Sequence, residues 1–114
     1  VTTRALLAEC LDGPVNADLR FMNVAAPASD SLKEKAASCV HLDGSIRVQV
    51  LDDAHPLHPV IEAYHAATGC PALANTSFNI GSEPIVHSFE DAMRTFMFDD
   101  RITAMLGGNT LFTK

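Results

Sequence analysis

A run of uncharged polar side chains between residues 75 and 84 is the part of the sequence best suited to bind a ligand. Asn75, Thr76, Ser77 and Asn79 supply amides and hydroxyls without net charge. Together with backbone N–H groups at a turn, such groups hold phosphate or carbonyl oxygens. The same composition is also typical of a turn whose side chains bond their own backbone. The sequence therefore predicts either a ligand-binding loop or a self-bonded turn here.

The histidines and cysteines do not form a pattern that is typical of a metal site. His55 and His58 have the spacing of a ligand pair, but Pro56 and Pro59 argue against a regular helix across both of them. The three cysteines are too widely spaced for a zinc site or a disulfide framework. We therefore expect reduced thiols and no bound metal in this chain.

An alternating segment over residues 45–50 predicts the strand that would carry a charged side chain. Ile46, Val48 and Val50 share one face, which we expect to be buried, and Arg47 and Gln49 share the other. On these residues alone, Arg47 is as consistent with a solvent-exposed face as with a ligand contact.

The remaining elements must position this strand and this loop. The pattern predicts a first helix that is capped by Thr2 or Thr3 and extends through Leu11, a strand over 21–26, a short helix from Ser31 and a tight turn at Asp43-Gly44. It then predicts a helix over 59–68, a strand over 71–75, a helix capped by Ser88, and strands over 102–106 and 110–112. A strand over 40–42 would turn the Asp43-Gly44 signal into a hairpin. Helices alternating with short strands indicate an α/β or α+β fold, a twisted mixed sheet flanked by helices.

Length and composition restrict the function classes. The chain has 114 residues, so we expect a single domain over 1–114. With 47% apolar and 19% charged residues it is a globular domain and not a disordered tail. Fourteen acidic against eight basic residues give a net charge of −6 without a basic cluster, which argues against a nucleic-acid partner. No apolar run is long enough for a membrane span and the start does not resemble a secretory signal, so we expect a cytoplasmic protein without a membrane partner.

Several ordered motifs resemble one enzyme family. Residues 41–50, HLDGSIRVQV, are similar to the HVDGTARVQ-type segment of antibiotic O-carbamoyltransferases and nodulation carbamoyltransferases. Residues 75–79 and 83–86, NTSFN and EPIV, resemble the loop of that family. Phe21-Met22, the helix that ends in TGCP at 68–71 and the EDA at 90–92 add further matches. The resemblance covers roughly residues 20–108 and points to the C-terminal, YrdC-like domain of the family.

The resemblance implies an activity and roles for particular residues. In the family, this domain condenses ATP with carbamoyl phosphate to give carbamoyl-adenylate, and a separate iron-bearing N-terminal domain passes the carbamoyl group to a hydroxyl of a natural product. Arg47 resembles the active-site arginine of the family, and Ser77 and Asn79 resemble its SxN pair, which implies catalytic roles. Asn75 and Thr76 would join Ser77 and Asn79 in contacting ATP. We expect Arg47 and the SxN pair to converge on one pocket.

The sequence also departs from the family pattern. We expect the KxR segment of the YrdC-like fold to lie upstream of residue 1 and the iron-bearing domain to be absent. Gly81 stands where the family loop has a cation, and Ser82 stands where it has a glycine. The resemblance thus implies a carbamoyltransferase component that is completed by a large chain or a second copy. The alternatives are a non-catalytic binding or scaffold subunit, or a self-contained enzyme with repurposed chemistry.

Overall fold

The computed structural model describes residues 1–114, which form two compact units, Val1–Asn75 and Thr76–Lys114. The first unit contains β1 (Thr2–Thr3), α1 (Leu7–Cys10), β2 (Ala25–Pro27), α2 (Asp30–Lys35), a 3-10 turn (Ala37–Cys39), β3 (Ser45–Arg47), β4 (Val50–Leu51) and α3 (His58–Thr68). The second contains α4 (Phe89–Phe98), β5 (Ala104–Gly107) and β6 (Thr110–Thr113). This mixture of helices and short strands confirms the predicted mixed α and β class. None of the helices has the length and apolar character needed to cross a membrane.

The strands form three two-stranded sheets. β1 pairs with β4 in parallel, β2 with β3 in antiparallel register, and β5 with β6 in antiparallel register. The alternating segment 45–50 supplies both β3 and β4, so one continuous stretch of chain belongs to two sheets. Its alternation is confirmed, since Ile46, Val48 and Val50 are buried and Arg47 is exposed.

The core of the first unit is built around this segment. The larger cluster consists of buried residues with apolar side chains: Cys10, Leu11, Leu19, Ala26, Ala28, Leu32, Ile46, Val48, Val50 and Ala72. A smaller cluster joins Leu6, Leu51 and Ile61, and so attaches α3 to β4. Removal of this apolar surface from water is the main force that fixes β3 and β4 in place.

The ends of the two long helices follow the predicted signals. Gly69 adopts a left-handed conformation with φ of 71° at the end of α3, and its N–H donates to the His65 carbonyl at 2.7 Å. At the start of α4, Ser88 and Asp91 form a capping box in which each side chain bonds the backbone N–H of the other residue. Both helices are therefore confirmed close to their predicted bounds.

The predicted first helix is wrong over its first residues. Thr2 and Thr3 are fully buried in strand β1, and only Leu7–Cys10 is helical. The hydroxyl of Thr2 donates to the Pro71 carbonyl at 2.6 Å, and the hydroxyl of Thr3 donates to the Glu62 carboxylate at 2.6 Å. These long-range partners satisfy the two buried hydroxyls and stabilise a strand that β-branched residues favour.

Two predicted strands are also shorter than expected or missing. The strand predicted over 21–26 is displaced to Ala25–Pro27, and the side chain of Phe21 remains 67% exposed. The segment 71–75 forms no strand of its own, although Leu73 exchanges two backbone hydrogen bonds with Val1, at 2.9 and 2.6 Å.

The second unit ends in the predicted pair of strands. β5 and β6 form a hairpin in which Met105 faces Phe112 and Leu106 faces Leu111, and Gly108 turns the chain with φ of 59°. The Phe89 ring at the start of α4 lies 5.7 Å from that of Phe112. The aromatic contact fastens α4 to the hairpin.

Candidate functional site

Arg47 presents a guanidinium that the protein does not neutralise. Its neighbours Ile46 and Val48 are buried, and its cross-strand partner in β2 is Ala25, which is too small to cover it. Arg47 takes part in none of the ion pairs, whereas Arg20 and Arg101 hold carboxylates at 2.7 and 2.6 Å. A free, planar guanidinium on a fixed strand is suited to bind phosphate in a bidentate manner.

A bonded turn sets the start of the strand that carries Arg47. The N–H of His41 donates to the Ser45 carbonyl at 2.8 Å, and the N–H of Ser45 donates to the Asp43 carboxylate at 2.9 Å. The hydrogen bonds from Ser45 hold the pKa of Asp43 below its usual value. Gly44 has φ of 80°, which confirms the predicted tight turn. Residues 40–42 form no strand, because β3 pairs with β2 instead.

Asn75 is held by Gln49, a residue to which the sequence pattern assigns no role in ligand binding. Its Nδ2 donates to Gln49 Oε1 at 3.0 Å and contacts Met22 Sδ at 3.6 Å. Gln49 follows Arg47 by two positions and is less buried than its neighbours Val48 and Val50, in agreement with the predicted alternation. The amide pair therefore connects the end of the first unit to the segment between β3 and β4.

Met22 has an uncommon backbone conformation for a residue with a side chain. Its φ of 55° makes it the one non-glycine residue with a positive φ in the chain. Such a conformation costs on the order of 1–3 kcal/mol and persists only where the surroundings impose it. The sulfur of this residue meets the Asn75 amide, so the strained position lies next to a predicted ligand-binding side chain.

A cleft of about 300 Å³ opens beside the amide pair. Its lining includes Gln49 and Asn75 at one part and the apolar side chains of Leu51, Leu57 and Leu73 elsewhere. Val1, Ala74 and His55 complete the lining, and His55 Nδ1 accepts a hydrogen bond from the Leu57 N–H at 3.1 Å. In the neutral imidazole, this bond places the proton on Nε2, which is left as a donor.

In the second unit, the loop over 76–87 is closed by its own hydrogen bonds. The N–H of Val86 donates to the Phe78 carbonyl at 3.0 Å, and the N–H of Glu83 donates to the Ile80 carbonyl at 2.8 Å. Asn79 Nδ2 donates to the carbonyls of Ile80 and Glu83 at 3.1 and 3.0 Å. The amide donors of Asn79 thus stabilise the loop, and its carbonyl oxygen is the atom left to meet a ligand.

The other two polar side chains of this loop are free. Thr76 and Ser77 are exposed, and neither hydroxyl makes a hydrogen bond. Hydroxyls in this state can donate to a phosphate oxygen without first breaking a bond within the protein. The assignment of Ser77 and Asn79 as catalytic residues stays a prediction, as does the role of Thr76.

The predicted site residues are divided between the two units. Arg47 and Asn75 belong to the first unit, where Gln49 connects their segments, and Thr76, Ser77 and Asn79 belong to the second. Convergence of Arg47 and the SxN pair on one pocket therefore stays a prediction.

A second cleft, of about 320 Å³, lies within the second unit between the 83–87 segment and α4. Its charged lining includes Asp91, which caps α4, and Arg94, which pairs with Asp91 at 3.1 Å. Both groups are therefore occupied in stabilising the helix. In neither unit do three or more histidine, cysteine, aspartate or glutamate side chains gather as a metal site would require.

Comparison of the sequence with known proteins places the chain in a family. The family model described as "Carbamoyltransferase C-terminus" matches residues 2–114. The nodulation protein NolNO of Sinorhizobium fredii is 36% identical over 96 residues, which cover 82% of this chain and 14% of that protein. The nodulation protein NolO of Bradyrhizobium diazoefficiens is 37% identical over 84 residues, which cover 72% of this chain and 15% of that protein. An uncharacterized protein of Methanocaldococcus jannaschii is 31% identical over 96 residues, which cover 82% of this chain and 18% of that protein.

These relatives are much longer than the matched region, because the chain spans only about one-seventh of the length of the two nodulation proteins. The family model extends over residues 2–114, so its match includes the strand of Arg47, the Asn75 position and the 76–87 loop. The chain belongs to the carbamoyltransferase C-terminus family.

Proposed function

We propose that this chain supplies part of the site at which a carbamoyltransferase forms carbamoyl-adenylate from ATP and carbamoyl phosphate. The carbamoyl group would then pass to a hydroxyl of a natural product on another part of the enzyme. Family membership supports a carbamoyltransferase role, and the free guanidinium of Arg47 is the observation that carries the finer assignment.

The reaction needs positive charge and neutral donors at one place. Mass balance requires one water: ATP, carbamoyl phosphate and water give carbamoyl-adenylate, pyrophosphate and phosphate. Water cleaves the bond that joins the carbamoyl group to phosphate, which gives carbamate and phosphate. An oxygen of the carbamate then forms a bond with the α-phosphorus of ATP while the bond from that phosphorus to pyrophosphate breaks. Both reactants carry clustered oxyanions, so a guanidinium that holds one phosphate lowers the repulsion between them.

Arg47 is the residue of the first unit best suited to this task. Its position is fixed by the burial of Ile46 and Val48 on either side, so the guanidinium starts from a rigid strand. In this scheme, Ser77 contributes a free hydroxyl as a phosphate donor. Asn79 contributes its carbonyl oxygen, which is an acceptor suited to an amino group and not to a phosphate.

A partner would complete the site, since the net charge of −6 opposes the binding of an anion by this chain alone. We propose a carbamoyltransferase large region as that partner, on the same or on a separate chain, with a second copy of this chain as the alternative. The relatives, about seven times as long as the matched region, support the first arrangement.

A non-catalytic binding or scaffold role is the second candidate. The observation that favours it is the loop, where Gly81 replaces the family cation and the Asn79 amide donates to the carbonyls of Ile80 and Glu83. The two candidates differ in one assay. Combined with the rest of a carbamoyltransferase, the chain should support pyrophosphate release that needs both ATP and carbamoyl phosphate. A scaffold would leave that rate unchanged when Arg47 is replaced by alanine.

A further inference from the structure

We infer that the Gln49–Asn75 amide pair determines substrate specificity. It would do so by hydrogen bonding to a planar group of the substrate that carries an amino group beside an acceptor atom. The apolar walls of the neighbouring cleft favour the adenine ring as the source of that group. This inference rests on the proposed function, because it assigns a selectivity to the same site.

The hydrogen bonds of the pair leave one donor and one acceptor free. Asn75 Nδ2 is occupied by Gln49 Oε1 at 3.0 Å and by Met22 Sδ at 3.6 Å. Asn75 Oδ1 and Gln49 Nε2 make no hydrogen bond within the first unit. A free acceptor and a free donor within one hydrogen-bonded amide pair are complementary to the amino group and ring nitrogen of adenine, the two atoms that a single Asn or Gln amide contacts in nucleic acids.

The cleft offers apolar side chains against which a planar base could pack. Leu51, Leu57 and Leu73 line it, and its volume of about 300 Å³ is that of a small ligand site. Nucleobases taken out of the stack are commonly held between apolar side chains and read on their polar edge. His55 adds an Nε2 donor to the lining, available for a further ring or sugar acceptor.

The pair lies close to Arg47 along the chain. Gln49 follows Arg47 by two positions, in the short connection between β3 and β4. The sulfur of Met22, a residue with φ of 55°, contacts the Asn75 amide.

Side-chain amide NMR signals of the isotope-labelled chain, combined with the rest of a carbamoyltransferase, provide the test, because the net charge of −6 opposes anion binding by the chain alone. We expect AMP to shift the signals of Gln49 and Asn75 and to bind at least about tenfold more tightly than IMP, which presents a carbonyl and an N–H in the reversed order. A carbamoyl group has the same amino–acceptor edge, so carbamoyl phosphate is compared with acetyl phosphate, which lacks the amino group. Selective response to AMP assigns the edge to adenine, and selective response to carbamoyl phosphate alone assigns it to the carbamoyl group.

Variants separate recognition from folding. Gln49→Ala and Asn75→Ala should each abolish the preference, whereas the exchange variant Gln49→Asn/Asn75→Gln, which rebuilds an amide pair, should retain it. Asn23→Ala, an exposed amide in the same unit, is the matched control. The inference is overturned if the wild-type chain responds equally to each analogue pair, or if neither amide signal moves while the backbone spectrum stays folded.

Failure of the inference is distinguishable from failure of the proposed function. Pyrophosphate release by the assembled enzyme with no selectivity at the amide pair would overturn the inference alone. Selectivity at the pair without pyrophosphate release in any assembly would support the inference and overturn the proposed function.

Discussion

Replacement of Arg47 by alanine should lower activity without unfolding the chain. The guanidinium is exposed, makes no ion pair and faces Ala25 across the strands, so its loss should change the free energy of unfolding by less than about 0.5 kcal/mol. A charge-assisted hydrogen bond to phosphate contributes about 1.5–3 kcal/mol. If that bond acts in the transition state, the rate of pyrophosphate release should fall between about tenfold and somewhat over a hundredfold.

The assay compares this variant with Arg4→Ala and Arg47→Lys in the assembled carbamoyltransferase. Arg4 is also exposed and without an ion pair, so its replacement makes the same change in net charge away from the proposed site. We expect Arg4→Ala to keep the wild-type rate and Arg47→Lys to recover only part of it, because an ammonium is not a planar fork. A wild-type rate for Arg47→Ala, or an equal loss for Arg4→Ala, would refute the reasoning.

Three further predictions concern stability and are checked by urea unfolding of the purified chain. Ile61→Ala should lower the free energy of unfolding by about 2–5 kcal/mol because Ile61 is fully buried between α3 and β4, and an unchanged midpoint would contradict the assigned core. Gly69→Ala should cost about 1–2 kcal/mol through its φ of 71° alone, since the nearest atom to an added Cβ is Lys35 Nζ at 3.9 Å; a stabilised variant would disprove that backbone conformation. The hydrogen bond from Arg101 lowers the pKa of Asp99 to about 2, so its contribution should be complete above pH about 4 and decline as the pH falls towards 2; Arg101→Ala should flatten this dependence.

The sequence correctly predicted the elements that are determined by residues close together in the chain. Alternation placed Arg47 on the exposed side of its strand because burial of Ile46 and Val48 fixes the face of a period-two segment. The ends of α3 and α4 followed from Gly69 and Ser88, since a left-handed glycine and a capping hydroxyl act within a few residues.

The predictions failed where the partners are far apart in sequence. Thr2 was expected to precede or cap a helix, but its hydroxyl bonds the Pro71 carbonyl, which no local pattern reveals. The strand predicted from Phe21 begins later, because that side chain remains exposed and Met22 turns the backbone. Tertiary contacts of this kind override local propensity.

The types of residue in the candidate site could be predicted from the sequence, but the hydrogen bonds between them could not. Arg47 and Asn75 were both identified from the sequence, but Gln49 was recognised only as the residue that shares a strand face with Arg47. Its bond to Asn75 joins residues 26 positions apart. For the polar loop, the self-bonded turn is seen at Asn79, whose amide donates to the carbonyls of Ile80 and Glu83, and ligand binding by Ser77 stays a prediction.

Pyrophosphate release tests the central claim most directly. The chain is combined with the rest of a carbamoyltransferase, and release is measured with ATP and carbamoyl phosphate together and with each alone. We expect release only when both substrates and the wild-type chain are present, with a loss of at least about tenfold for Arg47→Ala. Release that proceeds at the same rate without this chain, or that is indifferent to Arg47, would contradict a role in forming carbamoyl-adenylate.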